Sequence, residues 1–273
     1  INNHIIPYFK NRKARYLTNE TVELFINEKA MKLSEKTVHD IIVLLKQIIK
    51  FAVSKKYIEY FDFNVSQPKV KNKELAILSK YEHSKLINYI QLTFDINKIG
   101  VLLSLFMGVR IGEVCALKWE DVNFQTETLR INKTMQRIKN LDEKAVTKTK
   151  IVIDTPKSQK SIREIPIPSF IVNLMKKYKT DKEKYLLTGT AEFIEPRVYQ
   201  DMFKTYLKES GIEDINYHAL RHTFATRAIE QDFDIKSLSE ILGHSSVKFT
   251  LERYVHPSEE HKRKNMEKMS VFY

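Results

Sequence analysis

The chain has 273 residues, of which 42% are hydrophobic, and 46 Lys and Arg residues outnumber 34 Asp and Glu residues for a formal net charge of +12. This apolar content supports a buried core in one or two domains and excludes a wholly disordered chain. A single cysteine, Cys115, excludes an intramolecular disulfide and a cysteine-based zinc site. Because no apolar run reaches the ~18 residues needed to span a bilayer and no secretion signal is present, we expect a soluble intracellular protein. The positive charge favours a polyanionic partner, although a solvated basic surface would give the same composition.

The first part of the chain is predicted to be helical. Apolar residues recur at helical spacing over Val38–Val53, and Ser34 is placed as the N-cap of that helix. The stretch Ser66–Glu74 is polar and basic, contains a proline and has no apolar period. We therefore expect a helical domain over residues 1–65 and a basic linker over residues 66–74.

The second part is predicted to run over residues 75–257 and to begin with a helix. Ser79 and Glu82 have the spacing of a capping box, in which each side chain satisfies a free backbone amide of the other. Helical spacing continues to about Trp119 and returns from about Ser169. Gly211 and Gly243 are placed as C-caps of later helices.

Between these helical regions the apolar period changes to that of strands. Alternation is clear over Leu129–Ile131 and Ile151–Ile153 and less regular over Ile162–Ile167, which indicates a small antiparallel sheet. The Lys-rich stretch Lys139–Lys150 is interpreted as a long hairpin loop. The predicted fold class is mainly α with a small antiparallel β-sheet.

Two short segments carry cations that could contact phosphate. Arg110 lies between Gly108 and Gly112, where a backbone can approach another group closely, although a surface arginine at a helix turn is the commoner explanation. The segment Thr155–Arg163 lies in the apparent turn between two strands. Its cations are therefore expected at an exposed tip, which is typical of phosphate-contacting loops and also of ordinary solvated hairpins.

Three further segments follow in the helical region. His218 and Arg221 are three residues apart at a helix start, so they lie on one helix face, where an anion between them would relieve their repulsion. His244 is placed at an exposed corner next to a new helix N-terminus, which attracts anions. Ten residues later comes Tyr254, and a tyrosine near a helix end is ordinarily a half-buried packing residue.

Taken together, the order and local setting of these residues closely resemble the tyrosine recombinase (phage integrase) family. The family pattern is Arg in Gly-x-Arg-x-Gly-Glu, Lys in a β-hairpin, His-x-x-Arg, Leu-Gly-His and then Tyr. The corresponding residues here are Arg110, Lys157, His218, Arg221, His244 and Tyr254. The resemblance covers residues 75–257 and implies a helical core-binding domain followed by an α+β catalytic domain.

The resemblance implies a reaction in which Tyr254 attacks a DNA phosphodiester and forms a 3′-phosphotyrosyl intermediate with a free 5′-hydroxyl. Arg110 and Arg221 are expected to stabilise the negative charge of the transition state through bidentate hydrogen bonds. Because these arginines supply that charge, no metal is expected. Because the phosphotyrosyl bond stores the energy of the broken diester bond, no ATP or other cofactor is expected. Glu113 is expected to support the Arg110 loop through an ion pair.

The remaining roles concern protons and the DNA backbone. Lys157 is the first choice as the acid that protonates the leaving 5′-oxygen, and Lys160 is an alternative that the sequence leaves open. Arg163 and Lys160 are candidates for contacts to the DNA backbone. His218 is expected to accept the phenol proton, and His244 to hydrogen bond to a non-bridging oxygen.

The expected partners are duplex DNA and further copies of the chain. The linker lysines Lys69, Lys71 and Lys73 are expected to bind DNA between the two domains, with steep salt dependence. The tail over residues 258–273 is expected to dock on a neighbouring protomer in a synaptic tetramer or, alternatively, on its own domain. We also expect accessory excision or bending proteins and a location at the bacterial nucleoid. The first residue is not Met, which leaves room for an upstream arm-binding domain, a question that the sequence leaves open.

Three other readings remain open from the sequence. They are a DNA-binding protein on the same scaffold that does not cut, a type IB topoisomerase that relaxes DNA without a partner duplex, and a generic basic helical module. The separate helical domain before the linker favours the recombinase over the topoisomerase, and the ordered pattern of six residues is unexplained by the generic module.

Overall fold

The computed structural model describes residues 1–10, 12–13, 16–59, 75–142, 146–155, 161–255, 263 and 266–272. The chain divides into two compact units, residues 1–74 and residues 75–273. Within the described ranges, no helix has the length and apolar character required to cross a membrane. Several predicted features lie outside the described residues: the linker, Lys69, Lys71, Lys73, Lys157 and Lys160.

The first unit is helical in its described residues, with α1 (Ile5–Phe9), α2 (Asn19–Ala30) and α3 (Glu35–Ser54). The predicted N-cap of α3 is present, because the Ser34 side chain accepts a hydrogen bond from the backbone N–H of Thr37 at 3.3 Å. One apolar face of α3 is buried against α2, where Phe25 and Ile42 are fully enclosed. Amphipathic spacing therefore produces a small core that belongs to this unit alone.

The second unit contains the α-helices α4 (Lys80–Leu92), α5 (Ile99–Met107), α6 (Ile111–Ala116), α7 (Ser169–Tyr178), α8 (Pro196–Glu209), α9 (His218–Glu230), α10 (Ile235–Leu242) and α11 (Val247–Tyr254). The capping box at the start of α4 is formed as predicted by Ser79 and Glu82. Helix α5 is apolar on all sides, and it packs against α6, α7 and α9. A helix that is apolar all round is buried in the centre of its domain, and α5 is the central helix of this core.

The strands form two antiparallel sheets rather than the single sheet predicted. They are β1 (Val122–Asn123), β2 (Thr128–Ile131), β3 (Thr134–Lys139), β4 (Thr149–Asp154) and β5 (Arg163–Pro166). One sheet has the order β1-β2-β5, and the other pairs β3 with β4. The sequence pattern did not predict β3, whose residues lie just before the predicted hairpin loop and overlap its first residue, Lys139.

The segment Thr155–Arg163 follows β4 and ends at the start of β5, as predicted, but these two strands are not partners, so the expectation of a hairpin tip is wrong. In the described part of the chain, β4 pairs with β3, whereas β5 pairs with β2 in a register that places Leu129 opposite Ile165. The chain between β4 and β5 therefore passes from one sheet to the other. Arg163, at the start of β5, consequently lies in a sheet that packs against the helical core and not at the tip of a hairpin.

Two glycines end the helices next to the candidate site. Gly108 caps α5 with φ +67°, and Gly243 caps α10 with φ +62°. Glycine adopts this left-handed conformation without the steric cost of a Cβ atom. The turns they form place Arg110 three residues beyond the last residue of α5 and His244 two residues beyond the last residue of α10.

Candidate active site

Arg221 lies at the centre of the candidate site and is almost completely buried, with 2% of its surface exposed. Its Nη1 donates to the carbonyl of Gly108 at 2.7 Å, and its Nη2 donates to the carbonyl of Leu242 at 2.7 Å. These carbonyls belong to the ends of α5 and α10, where main-chain oxygens have no partner within the helix. One guanidinium on α9 therefore joins the ends of two other helices.

Arg110 enters the same site from the N-terminus of α6. Its backbone N–H and its Nη1 donate to the two carboxylate oxygens of Glu113, at 2.9 and 2.8 Å. Its Nη2 lies 3.4 Å from the carbonyl of Gly243, which is the next carbonyl after the one that Arg221 contacts. The two guanidinium groups therefore converge on one turn, and the Arg110 side chain remains 34% exposed.

Glu113 is shared between Arg110 and Arg163. The Nη1 and Nη2 atoms of Arg163 donate to the two Glu113 oxygens at 3.0 and 2.8 Å, and its Nε donates to the carbonyl of Ile241 at 2.7 Å. The side chains of Arg163 and Glu113 are only 6% and 3% exposed. The expectation of an exposed cation is therefore wrong for Arg163, because its guanidinium is directed inward at a buried carboxylate.

The charge state of Glu113 follows from these contacts. Burial alone would raise the pKa of this carboxyl, but the hydrogen bonds and charge of Arg163, with the charge of Arg110, lower the pKa to about 2. Glu113 is thus a carboxylate at neutral pH, and it compensates two guanidinium groups that lie close together.

His244 is held between Arg221 and a buried threonine. Its Nε2 lies 2.9 Å from Nη2 of Arg221, and its Nδ1 lies 2.8 Å from Oγ1 of Thr250. A guanidinium has only donors, so Nε2 must accept and the ring proton must reside on Nδ1. Burial and the charge of Arg221 lower the pKa of His244 to about 3, which agrees with a neutral ring in this tautomer.

Tyr254 closes the site from the last turn of α11. Its side chain is 7% exposed, its phenol oxygen lies 2.8 Å from Nδ1 of His222, and its ring stacks parallel to that of His244 with centroids 6.2 Å apart. Burial raises the pKa of Tyr254, while the charges of Arg221 and Arg253 act in the opposite direction. The phenol is therefore protonated in the resting site and surrounded by cations that favour its ionised form.

His218 and His222 lie one helical turn apart on α9, and their rings meet edge to face with centroids 4.5 Å apart. Partial desolvation by the surrounding protein lowers the pKa of each to about 4, and the nearby arginine charges add to this effect. At neutral pH the site therefore combines fixed arginine cations with neutral imidazoles. Such an arrangement can bind an anion and can accept or donate protons beside it.

The structure brings together Arg110, His218, Arg221, His244 and Tyr254, five of the six residues singled out from the sequence. The sixth, Lys157, and its alternative, Lys160, lie outside the described residues. Sequence reasoning gave no role to two residues in direct contact with the site, His222 and Thr250. The position of His222 four residues after His218, on the same helix face, was the available signal for the first of these.

Comparison with known proteins agrees with this geometry. The profile of the phage integrase family matches residues 76–261. A tyrosine recombinase XerC-like protein of Caldanaerobacter subterraneus subsp. tengcongensis is 33% identical over 172 residues, which cover 57% of this chain and 44% of that protein. The ICEBs1 integrase of Bacillus subtilis is 26% identical over 272 residues, which cover 94% of this chain and 71% of that protein.

The fold agrees with a solved structure as well. The integrase of transposon Tn1549, in complex with a circular intermediate DNA, superposes with a TM-score of 0.75 and 21% identity over 96% of this chain and 90% of that one. This likeness confirms the predicted fold class of helices with small antiparallel sheets. The relatives are named as recombinases and integrases, so neither a topoisomerase nor a non-cutting DNA-binding protein is favoured.

The family profile covers more than half of the chain, and five of the six residues that suggested the resemblance converge in space. The chain belongs to the phage integrase family of tyrosine recombinases.

Proposed function

We propose that this protein performs site-specific recombination of a mobile element by cutting and rejoining DNA through a 3′-phosphotyrosyl bond to Tyr254. The observation that carries the proposal is the convergence of Arg110 and Arg221 on adjacent carbonyls beside the phenol-bearing helix. The match covers 44% of the XerC-like protein and 71% of the ICEBs1 integrase, so the activity of the whole protein is part of this proposal.

In this proposal, the two arginines stabilise the phosphate as its negative charge increases. A phenol with an ordinary pKa near 10 is a poor nucleophile at neutral pH, and the pentacoordinate transition state carries more negative charge than the diester. A preorganised donor in such a site typically contributes ~2.7–4 kcal/mol to transition-state stabilisation. Arg110, with its partly exposed side chain, is positioned to contact a phosphate directly, whereas the buried Arg221 also maintains the turns around it.

His244 is proposed to hydrogen bond to a non-bridging oxygen through Nε2. In the ligand-free site this atom accepts from Arg221, so binding of a phosphate requires Nε2 to acquire a proton. The negative charge of the phosphate favours this change because it raises the pKa of a neighbouring imidazole. His218, at the start of α9, is proposed to accept the proton of the Tyr254 phenol.

The leaving 5′-oxygen requires a proton, and Lys157 is the proposed donor, with Lys160 as the alternative. A DNA substrate with sulfur at the 5′-bridging position distinguishes the two, because a thiolate leaves without a proton. If a variant lacks the true acid, this substrate restores its cleavage. If a variant has another defect, its cleavage stays impaired on this substrate. Rescue of Lys160→Ala but not of Lys157→Ala would reverse the assignment.

The proposed partners are duplex recombination sites and three further copies of this chain in a synaptic tetramer. The basic linker with Lys69, Lys71 and Lys73 is proposed to contact the DNA backbone, and the tail over residues 258–273 to dock on a neighbouring protomer. We further propose that accessory excision or bending proteins take part and that the protein acts in the bacterial cytoplasm at the nucleoid. DNA affinity should then decrease steeply with salt, since each phosphate contact releases counterions.

The decisive experiment incubates the protein with a nicked suicide substrate and measures an SDS-resistant protein–DNA adduct. The wild-type protein should form the adduct in the presence of EDTA, and Tyr254→Phe should form none. Tyr81→Phe is a matched control, because this tyrosine is 71% exposed on α4, away from the site. An adduct of wild-type yield with Tyr254→Phe would overturn the nucleophile assignment.

A further inference from the structure

His222 forms a hydrogen bond with the phenol of Tyr254, and the sequence pattern suggested no function for this histidine. The distance from its Nδ1 to the phenol oxygen is 2.8 Å, and both side chains are 7% exposed. The hydrogen bond joins α9 to α11, which the chain connects only through α10 and two turns. A buried hydrogen bond between two titratable groups at a reacting atom is a feature of catalytic sites.

The position of His222 follows from the helix that also carries Arg221. His218, Arg221 and His222 occupy positions i, i+3 and i+4 on α9, so one helix face presents all three to the site. His218 is exposed at the start of this helix, and its ring contacts the edge of the His222 ring. His222 therefore lies between His218 and the phenol, in the position expected of the immediate proton acceptor.

We propose that His222 is a catalytic residue that holds the phenol of Tyr254 in place and accepts its proton during attack on phosphorus. This inference rests on the proposed function and changes the role given to His218, which was the expected acceptor. His218 is left to contact the phosphate.

In the proposed step, each bond that forms is matched by a bond that breaks. A lone pair on the phenol oxygen forms the bond to phosphorus while the phenol O–H bond breaks and the proton passes to Nδ1 of His222. The bond from phosphorus to the 5′-oxygen breaks, and that oxygen leaves with the electron pair and takes a proton from the proposed lysine acid. In the rejoining step the 5′-hydroxyl attacks phosphorus and gives its proton to the proposed lysine, which is now neutral. The bond from phosphorus to the phenol oxygen breaks, and His222 returns its proton to the departing phenolate.

The charges around His222 suit this role. His218 and Arg221 face it from its own helix, and Arg253 and Tyr254 face it from α11. Burial and these neighbours lower the pKa of His222 to about 4, so the ring is neutral and able to accept at neutral pH. A bound phosphate partly neutralises the cations and raises this pKa, while the phenol becomes more acidic as its oxygen bonds to phosphorus.

The test compares single-turnover cleavage of the suicide substrate by wild-type protein and by His222→Asn. Asparagine can still hydrogen bond to the phenol but cannot accept its proton, so we expect a loss of roughly 10²–10⁴-fold in cleavage rate with little change in DNA affinity. The wild-type rate should depend less steeply on pH between about 6 and 8 than the variant rate, because His222 accepts the phenol proton. The variant rate should rise about tenfold per pH unit, since only the ionised phenol can then attack.

Two further measurements separate proton transfer from a purely structural effect. Replacing Tyr254 with a fluorotyrosine lowers the phenol pKa and should restore cleavage by His222→Asn more than it changes wild-type cleavage. A 5′-bridging sulfur substrate should not restore cleavage by this variant, because the leaving group is not its defect. His222→Gln serves as a second replacement if His222→Asn does not fold.

The outcomes distinguish this inference from the proposed function. If wild-type protein forms no adduct through Tyr254, the function itself is wrong. If wild-type protein forms the adduct and folded His222→Asn cleaves within a few-fold of it, only the role of His222 is overturned. A large loss confined to His218→Asn, with the same pH signature, would return the acceptor role to His218.

Discussion

The guanidinium of Arg163 forms a two-point ion pair with the carboxylate of Glu113, with N–O distances of 3.0 and 2.8 Å, although the two residues are 50 positions apart in sequence. The carboxylate also accepts from Arg110, so Glu113 connects a strand of the sheet to an arginine of the candidate site. The arrangement fixes Arg110 through a residue that does not itself face the substrate. Removing one partner should lower the free energy of unfolding considerably, because both partners are buried and the other charge would be left uncompensated.

Glu113→Ala should therefore lower the free energy of unfolding of the second unit by ~3–5 kcal/mol, the usual cost of leaving one partner of a buried ion pair without the other. Urea denaturation followed by fluorescence measures this, because the single tryptophan, Trp119, is buried in this unit. Asp181→Ala is the matched control, since Asp181 pairs with Lys184 at 2.9 Å but is 79% exposed. The control should change stability by less than ~1 kcal/mol, and equal effects of both variants would contradict the assignment.

Stability should also depend on pH through the neutral histidines of the site. The folded-state pKa values of His222 and His244, about 4 and about 3, lie below the ordinary value of 6.5. Between the folded-state pKa values and the ordinary value of 6.5, the unfolded chain binds more protons than the folded chain, so stability rises with pH. Their full contribution is present above about pH 6.5 and decreases as the pH falls towards 4.

Urea denaturation at pH 7.5, 6.5 and 5.5 checks this dependence. The decrease between pH 6.5 and 5.5 should be about 1 kcal/mol or less for each of these histidines, given their partial solvent access. His222→Asn should reduce the slope, because one of the titrating groups is then absent. Below about pH 4.5 the loss should steepen as Glu113, whose folded pKa is about 2, becomes protonated first in the unfolded chain. A flat stability profile from pH 7.5 to 5.5 would show that these rings are not held neutral.

Local sequence signals predicted the helices of this protein well. The capping box of Ser79 and Glu82 involves residues three apart, and the apolar period of α3 is read over consecutive turns. Strand partners were not predictable in the same way. Alternation around Ile165 indicates a strand, but its partner Leu129 is 36 residues earlier, and the nearer strand β4 pairs with β3 instead.

The site shows the same division between local and long-range information. Motif order identified five residues that the fold brings together, because each motif depends on a short local pattern. The burial of Arg163 depends on a carboxylate 50 residues away, and the contact of His222 depends on a phenol 32 residues away. Charge alone suggested an exposed role for Arg163, since arginines are rarely buried unless they are paired. The partner that buries it could be recognised only in the folded structure.

The two site arginines should respond differently to replacement by lysine, which keeps the charge and loses the planar fork. Arg110→Lys should reduce cleavage by roughly 10²–10³-fold with a small change in stability, because the Arg110 side chain is 34% exposed. Arg221→Lys should reduce both cleavage and stability, since its guanidinium joins the carbonyls of Gly108 and Leu242. Adduct yield and urea denaturation measure the two effects separately, and equal destabilisation by both variants would contradict this distinction.

The turn at Gly243 should tolerate no side chain. Its φ is +62°, and a Cβ there would lie 3.1 Å from both Cδ and Nη1 of Arg163. Gly243→Ala should therefore combine backbone strain of ~1–2 kcal/mol with displacement of the arginine that holds Glu113. Gly189→Ala is the matched control, because φ is +67° there while the nearest atom to an added Cβ, on Thr180, is 3.7 Å away. Gly243→Ala should lose more stability than Gly189→Ala, and it alone should impair cleavage, because the Gly243 carbonyl and His244 belong to the site. Equal stability losses, with cleavage intact in both variants, would show that Arg163 moves aside without consequence.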